Sequence, residues 1–436
     1  INASLVPVVT EYLDQLEASL SGLSRRLLIM QSNGGIVSAQ VARKRPAVMI
    51  ESGPAAGVLA AARLASENAW PAVLSFDMGG TTAKACLIEN GLPLERSSGE
   101  VGADSTSGAR LFGSGGHVLR VPWLDIVEVG AGGGSLAWVE EGGALRVGPR
   151  SAGADPGPAC YGRGGRHPTV TDANVVLGYM NPVAIAGDRL PLDAQAAGVA
   201  VSDYVAEPLG IGVVEAAYGI VQVANATMMR ALRAVSTERG RDPRGFTLVP
   251  FGGAGPMHAV MLAEAMGIKD IRIPRSPGLF SSLGLLLADY RRDFVHTLAL
   301  PLKSLAFDHV RQAYAEMESA ALEGLAADGI AADAVRFARR VDLRYAYQVS
   351  ELSVALPILD TQLRQSLTGS FEQAHRQEFG YVRDDVIELV NLRLQASAPA
   401  ATARMRDIRV CSEDQPLAEG HRRAYFGKQH GELDTS

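Results

Sequence analysis

The most chemically pointed feature of this 436-residue sequence is an aspartate that ends an apolar run and precedes two glycines and two threonines. Residues 72–76 read AVLSF, and Asp77-Met78-Gly79-Gly80-Thr81-Thr82 follows. Glycines in a tight strand-to-strand turn let backbone N–H groups face an anion. Thr81 and Thr82 add hydroxyl donors. Asp77 offers the oxygen ligand that hydrated Mg2+ prefers. The competing reading is a plain hairpin turn with glycines for positive φ.

Other residues carry weaker signals. Asp172 in TVTDAN (169–174) is either a metal or substrate ligand or a cap for the next helix. His258 opens a helix after a Gly-Gly turn and is either a catalyst or a capping and packing residue. Cys160 sits among glycines with no base beside it, so an inert buried thiol is expected over a nucleophile. His167 reads as a loop residue.

These residues need elements to position them. Residues 2–20 form a helical pattern, with Asn2 as the expected N-cap and Pro7 in the early turns. A short strand is expected at 27–30 and a second apolar patch at 47–50. Residues 55–65 read AAGVLAAARLA, a helix of small residues able to pack very close to a neighbour. Strands are expected at 72–76 and 83–89, the latter ending in the turn signal Asn90-Gly91. Residues 100–190 are glycine-rich and irregular, which reads either as surface loops or, with this much glycine around strands, as backbone packed close to something. A long helix is expected at 214–237. The strand 247–251 then leads through Gly252-Gly253-Ala254-Gly255-Pro256 into a helix at 257–266. Beyond a domain boundary near Pro301, the pattern predicts helices at 307–327 and 362–379, a strand pair and a polar tail.

Composition narrows the class. Apolar residues make up 47% and charged residues 20%, as in an ordinary globular protein. The net charge of −6, without basic runs, gives no support to nucleic-acid or membrane-surface binding. Cys86, Cys160 and Cys411 are far apart, which argues against a disulfide framework or structural zinc and fits a cytoplasmic setting. The chain opens on Ile1 inside a helical pattern, so a further N-terminal portion is expected.

The order of parts resembles the superfamily of actin, sugar kinases and heat-shock chaperone ATPases. In that α/β, ribonuclease H-like fold, a small-residue helix precedes a second DxGG(T) phosphate loop, and a late strand-Gly-Gly-helix holds the adenosine. The segments ESGPAAGVLAAARLA (51–65), FDMGGTTAK (76–84) and LVPFGGAGPMHA (248–259) stand in that order. The resemblance implies the end of a first lobe and the inter-lobe helix at 1–70, a second lobe at 71–300 and an α+β domain at 301–436.

A closer resemblance runs from end to end. MQSNGG (30–35), VGAGGGSLAW (129–138), SAGADPGPACYG (151–162), TVTDAN, GRDPRGFTLVPFGGAGPMHA (240–259), SSLG (281–284), DLRYAYQVSEL (342–352) and FGYVRDDVIELVNLRLQA (379–396) resemble the hydantoinase A/5-oxoprolinase family. That resemblance implies ATP-dependent opening of a cyclic amide such as hydantoin, N-methylhydantoin or 5-oxoproline, with a B-type partner subunit. The alternatives are an ATP-dependent acetone or acetophenone carboxylase subunit, and a non-catalytic nucleotide-binding subunit. It implies that Asp77, Gly79, Gly80, Thr81 and Thr82 bind the phosphates of ATP with Asp77 on Mg2+, and that Gly252, Gly253 and Gly255 bind the adenosine. Asp77, Asp172 and His258 are then the candidate catalytic residues.

Two departures stand out. Family members open with a domain carrying a first DxGGTxTD loop, and no second copy of that motif occurs here. A missing lobe would leave the 55–65 helix uncovered and the chain silent by itself. Many members also read DMGGTSTD where this chain has DMGGTTAK, so Lys84 replaces an aspartate. Lys84 either reaches a phosphate or is a solvated strand residue.

Overall fold

Branched and aromatic residues at 72–78 and small ones at 83–89 suit a pleated, buried surface. In the computed structural model these residues form the antiparallel strands Ala72–Met78 and Ala83–Glu89. The model describes residues 1–23, 26–96, 99–101, 117–119, 121–182, 191–356, 362–400 and 421–435. Asn90 and Gly91 both take positive φ, 53° and 75°, and fold Leu92–Pro93 back onto Ile88 and Glu89. That is the hairpin chemistry Asn-Gly supplies.

The sheet built on this hairpin runs Val127–Val129, Ala83–Glu89, Ala72–Met78, Thr247–Phe251, Asp270–Ile271. The first three strands are antiparallel neighbours and the last two add in parallel. Alternation along the strands sends two apolar sets to two faces. Val73, Cys86, Ile88, Val249 and Phe251 meet the helix Ser52–Glu67. Leu74, Phe76, Ala85 and Leu87 meet the helices Val213–Val235 and Gly255–Met266.

The small-residue helix does what its composition predicts. A Cβ on Gly57 would lie 2.3 Å from the Phe251 ring, and one on Gly284 would lie 1.7 Å from Ala56 O. Its apolar face is covered, with Ala55, Ala56, Gly57, Val58, Ala60, Ala61, Ala62 and Ala65 buried. This corrects the expectation of an exposed face there. The helix Phe280–Leu287 and the sheet do the covering. Exposed large apolar side chains lie instead on Asn2–Leu20, at Val8 and Tyr12, and around Phe280–Leu287, at Leu279, Leu285 and Leu286.

A second sheet redraws the expected domains. It runs Leu28–Met30, Ile36–Ser38, Tyr290–Pro301, Ile387–Ala398, Arg336–Tyr345, Leu352–Ala355. The helices Phe307–Ala327 and Leu363–Phe379 share its core. A boundary at 301 would fall at the end of one of its strands, and the segments 1–70 and 301–436 are joined through it. Tyr290 pairs with Ile36, a contact 254 residues apart that no local pattern announces. The hairpin Arg422–Tyr425 and Glu432–Thr435 returns to the first unit, where the Tyr425 N–H donates to Leu177 O at 2.9 Å. Cys411 and most of the expected polar tail lie outside the described residues.

Local corrections are small. Asn2 lies within the first helix, and its side chain accepts from Ala47 N–H at 2.9 Å instead of capping. The patch at 47–50 belongs to the tight turn Pro46–Met49. No single described helix is long and apolar enough to cross a membrane.

Candidate functional site

Three glycine-rich segments meet at one end of the first sheet. The first is the turn 77–82, closed by Gly79 N–H donating to Thr82 O at 3.1 Å. The second is 132–134. Gly133 N–H donates to Gly79 O at 3.0 Å and Gly134 N–H to Gly80 O at 2.6 Å, and a Cβ on Gly132 would lie 2.6 Å from the backbone of Gly80 and Thr81. The third is 252–255, tied to the first by Ala254 N–H donating to Met78 O at 3.0 Å. Gly252 takes φ +81°, and a Cβ there would lie 2.5 Å from both Asp77 Oδ1 and Met78 O. By contrast, a Cβ on Gly79, Gly80 or Gly253 would meet nothing within 4 Å. Backbone is packed on the inner side of each turn and open on the outer side, as an anion site requires.

Asp77 is half-buried at this open end. Among the described residues no group hydrogen-bonds to its carboxylate. Burial pushes its pKa up from the ordinary carboxylate value, and Lys84 partly opposes that. The register aligns Phe251, Asp77, Lys84 and Glu128 across four strands, so the three charged residues share one face. Lys84 is only 20% exposed, pairs with Glu128 at 3.2 Å and donates to the Thr82 hydroxyl. It is therefore not the solvated strand residue of one sequence reading. The helix Ser52–Glu67 covers the same face. Its C-terminal part, at Ser66, packs beside Gly91, and Gly57 packs beside Phe251, so its N-terminal turns approach the Asp77 end. That end of a helix favours anions.

The expected magnesium can be tested against these groups. Among the described residues no cluster of three or more His, Cys, Asp or Glu side chains is placed to hold a metal. Mg2+ keeps several waters and usually takes one or two carboxylates plus phosphate oxygens, so a single unpartnered Asp77 suits it.

Asp172 and His258 do not join the open turns. Asp172 is fully buried, and its carboxylate accepts from Ala159 N, Cys160 N, Thr169 N and Thr169 Oγ1 at 2.8–3.2 Å. It completes a capping box at the start of the helix Val170–Val176. With its acceptor sites taken, it holds the 159–160 turn and not a ligand. Its neighbour Thr171 donates to Gly133 O at 2.9 Å, which ties this helix to the glycine segment under the 79–80 turn.

His258 is also fully buried. Its Nδ1 lies 2.7 Å from Asn225 Oδ1 and its Nε2 3.4 Å from Asn174 Nδ2. Burial lowers its pKa to about 4, so the ring is neutral near pH 7. Neither side chain has surface with which to touch a substrate, which corrects the catalytic expectation for both.

Cys160 is buried beside Val175, Leu192 and Ala197, and burial pushes its thiol well above the ordinary range. His167 packs on Tyr204 at 4.5 Å. It neighbours a groove of about 550 Å3 lined by Arg166, Asp193, Gln195, Asp203 and Tyr204, which does not include the glycine turns. We place the candidate site at the turns, where the unpartnered carboxylate and open backbone are. The sequence reading omitted 132–134 from the site, although the run Gly132-Gly133-Gly134 was the available signal.

Comparison with known proteins bears on the family and the fold. The model of the family described as hydantoinase/oxoprolinase matches residues 1–294. A protein of Methanocaldococcus jannaschii, described as uncharacterized, is 42% identical over 98% of this chain and 61% of its own length. The caprolactamase subunit alpha of Pseudomonas jessenii is 36% identical over 100% of this chain and 62% of its own. The crystal structure of ATP-dependent caprolactamase from that organism superposes with a TM-score of 0.77, at 34% identity, over 98% of this chain and 61% of the other. A nucleotide-free acetone carboxylase structure superposes with a TM-score of 0.66, at 26% identity, over 86% of this chain and 53% of the other. The chain thus spans about three fifths of the length of these two curated relatives.

Proposed function

The chain belongs to the hydantoinase/oxoprolinase family, and on that premise we propose that its full protein hydrolyses a cyclic amide at the expense of ATP. The observation that carries the reading is Asp77, half-buried and without a hydrogen-bond donor among the described residues, beside the open backbone of Gly79 and Gly80. The fold we assign is the ribonuclease H-like one of the actin and sugar-kinase superfamily. Its support is the strand order described above, three antiparallel strands followed by two parallel ones, with the small-residue helix on one face.

A lactam is a poor electrophile because its nitrogen lone pair is delocalised into the carbonyl. Transfer of the γ-phosphoryl group of ATP to the carbonyl oxygen releases ADP and leaves an activated imidate phosphate. One water adds to the ring carbon and the C–N bond breaks, with the nitrogen taking a proton. A second water then releases phosphate from the resulting acyl phosphate. Such chemistry is served mainly by positioning and charge neutralisation.

In this chain the backbone N–H groups of 80–82 and the threonine hydroxyls donate to phosphate oxygens, while the Gly79 N–H closes the turn on Thr82 O. The 252–255 turn takes the adenosine side. Asp77 would hold a magnesium ion, which supplies neutralisation of phosphate charge. Asp172 and His258 act as positioning residues. The first holds the loop that reaches Gly133 through Thr171, and the second braces the helix that starts at Gly255. A B-type partner subunit completes the enzyme in our reading, as suits the word subunit in the name of the caprolactamase relative.

The test is ATP turnover by the full-length protein with its partner, screened against cyclic amides of varied ring size. Stimulation by one of them with ring opening supports the proposal. Turnover that requires bicarbonate and a ketone would assign the protein to the carboxylase branch, to which the acetone carboxylase similarity points. Nucleotide binding without substrate-stimulated turnover would leave a binding subunit.

A further inference from the structure

We propose that Lys84 is a positioning residue that turns the Thr82 hydroxyl into a dedicated hydrogen-bond donor for a phosphate oxygen of the bound nucleotide. This rests on the reading of 77–82 as the phosphate turn. A lysine ammonium has three donors and no acceptor, whereas a hydroxyl has one donor and two acceptor lone pairs. The bond between Lys84 Nζ and Thr82 Oγ1 therefore runs one way, with Lys84 donating. The hydroxyl proton of Thr82 must point elsewhere.

Three features hold that arrangement. Glu128, on the neighbouring strand and directly opposite Lys84, anchors the ammonium at 3.2 Å. Thr82 O is occupied by Gly79 N–H, so the turn cannot rotate freely about this residue. Thr82 is half-exposed beside Gly79 and Gly80, whose outer sides are open. A polarised row Glu128–Lys84–Thr82 leaves one O–H to donate at its half-exposed end, and each bond strengthens the next. An anion with acceptor oxygens is the partner such a row fits.

In this proposal Lys84 acts through Thr82, with its ammonium held between Glu128 and the threonine. This is also what the departure from the usual aspartate at this position accomplishes.

The experiment is a double-mutant cycle on the full-length protein, read by calorimetry with the non-hydrolysable analogue AMP-PNP and magnesium. Thr82→Val and Lys84→Met are each expected to weaken binding roughly tenfold, the size of one hydrogen bond to a charged group. The double variant should bind no worse than Thr82→Val alone, and Lys84→Arg should recover most of the loss. If Lys84→Met leaves Glu128 uncompensated and misfolds, Lys84→Met with Glu128→Gln takes its place in the cycle. Losses that multiply in the double variant would mean Lys84 touches the phosphates itself and would overturn the proposal. Wild-type binding by Lys84→Met, with binding impaired in Asp77→Ala, would overturn it and leave the phosphate turn standing. Wild-type binding by both variants would remove the turn and the proposal together.

Discussion

Gly252 lies against the carboxylate of Asp77: a Cβ on the glycine would stand 2.5 Å from Asp77 Oδ1. Asp77 lies on one strand and Gly252 directly follows its parallel neighbour Thr247–Phe251, 175 positions away in sequence. The contact makes the late glycine turn the inner wall of the acidic turn, and it separates the roles of two adjacent glycines.

Gly252→Ala should both strain the φ of +81° and push Asp77 out of place. We expect a loss of roughly 1–3 kcal/mol in stability together with weakened nucleotide binding. Gly253→Val should behave differently, because its side chain would enter open space. Melting temperature should hold while ATP affinity falls. Paired thermal melts and calorimetry read both variants, and an unchanged affinity in a folded Gly253→Val would take that turn out of the site.

Asp77→Ala should weaken magnesium-dependent nucleotide binding or turnover at least about tenfold. The raised pKa gives a sign to the pH dependence. A proton competes with a cation for the carboxylate, so affinity for Mg·ATP should fall on acidification. The fall should begin at higher pH than an ordinary aspartate would give. Asp77→Asn should remove that dependence. A titration in which wild type and Asp77→Asn fall in parallel would show that another group is responsible.

Gly57→Leu should overpack the contact with Phe251, where a Cβ alone would already lie 2.3 Å from the ring. We expect destabilisation of roughly 1–3 kcal/mol by denaturant unfolding. A neutral substitution would contradict the packing of the small-residue helix on the sheet.

His258 should make stability pH-dependent. Its folded pKa is lowered from 6.5 to about 4, so the unfolded chain binds the proton first. The stability it confers is full above about pH 6.5 and is lost as pH falls toward 4. At about 1.4 kcal/mol per pH unit the loss totals roughly 3 kcal/mol. The difference between wild type and His258→Gln, followed by urea unfolding across that window, isolates this term from the other titrating groups. A constant difference would place the proton elsewhere.

Much of the chain was legible locally. Apolar runs bounded by glycine turns found the strands at 72–78, 83–89 and 247–251, and helical patterns found the long helices at 213–235 and 307–327, within about two residues. Asn90-Gly91 named its own turn, because few residues other than asparagine and glycine tolerate positive φ in succession. The small residues at 55–65 announced a close approach, and the family motifs pointed to Asp77, Gly79 and Gly80.

Only the tertiary structure decided the rest, because those outcomes depend on partners distant in sequence. Whether Asp172 was ligand or cap turned on Ala159 and Cys160 donating to it, and a carboxylate's free lone pairs cannot be counted from its neighbours in sequence alone. The division at 301 failed because strand pairing is not local: Tyr290 meets Ile36, while the hairpin at 422–435 docks on Leu177. Gly132-Gly133-Gly134 was visible as a run of glycines. That its backbone underlies Gly79 and Gly80 follows from hydrogen bonds the chain can form only once it has folded back on itself. Lys84 was readable as a cation on a strand, but its direction was set across the sheet, where Glu128 and Thr82 hold its charge between them.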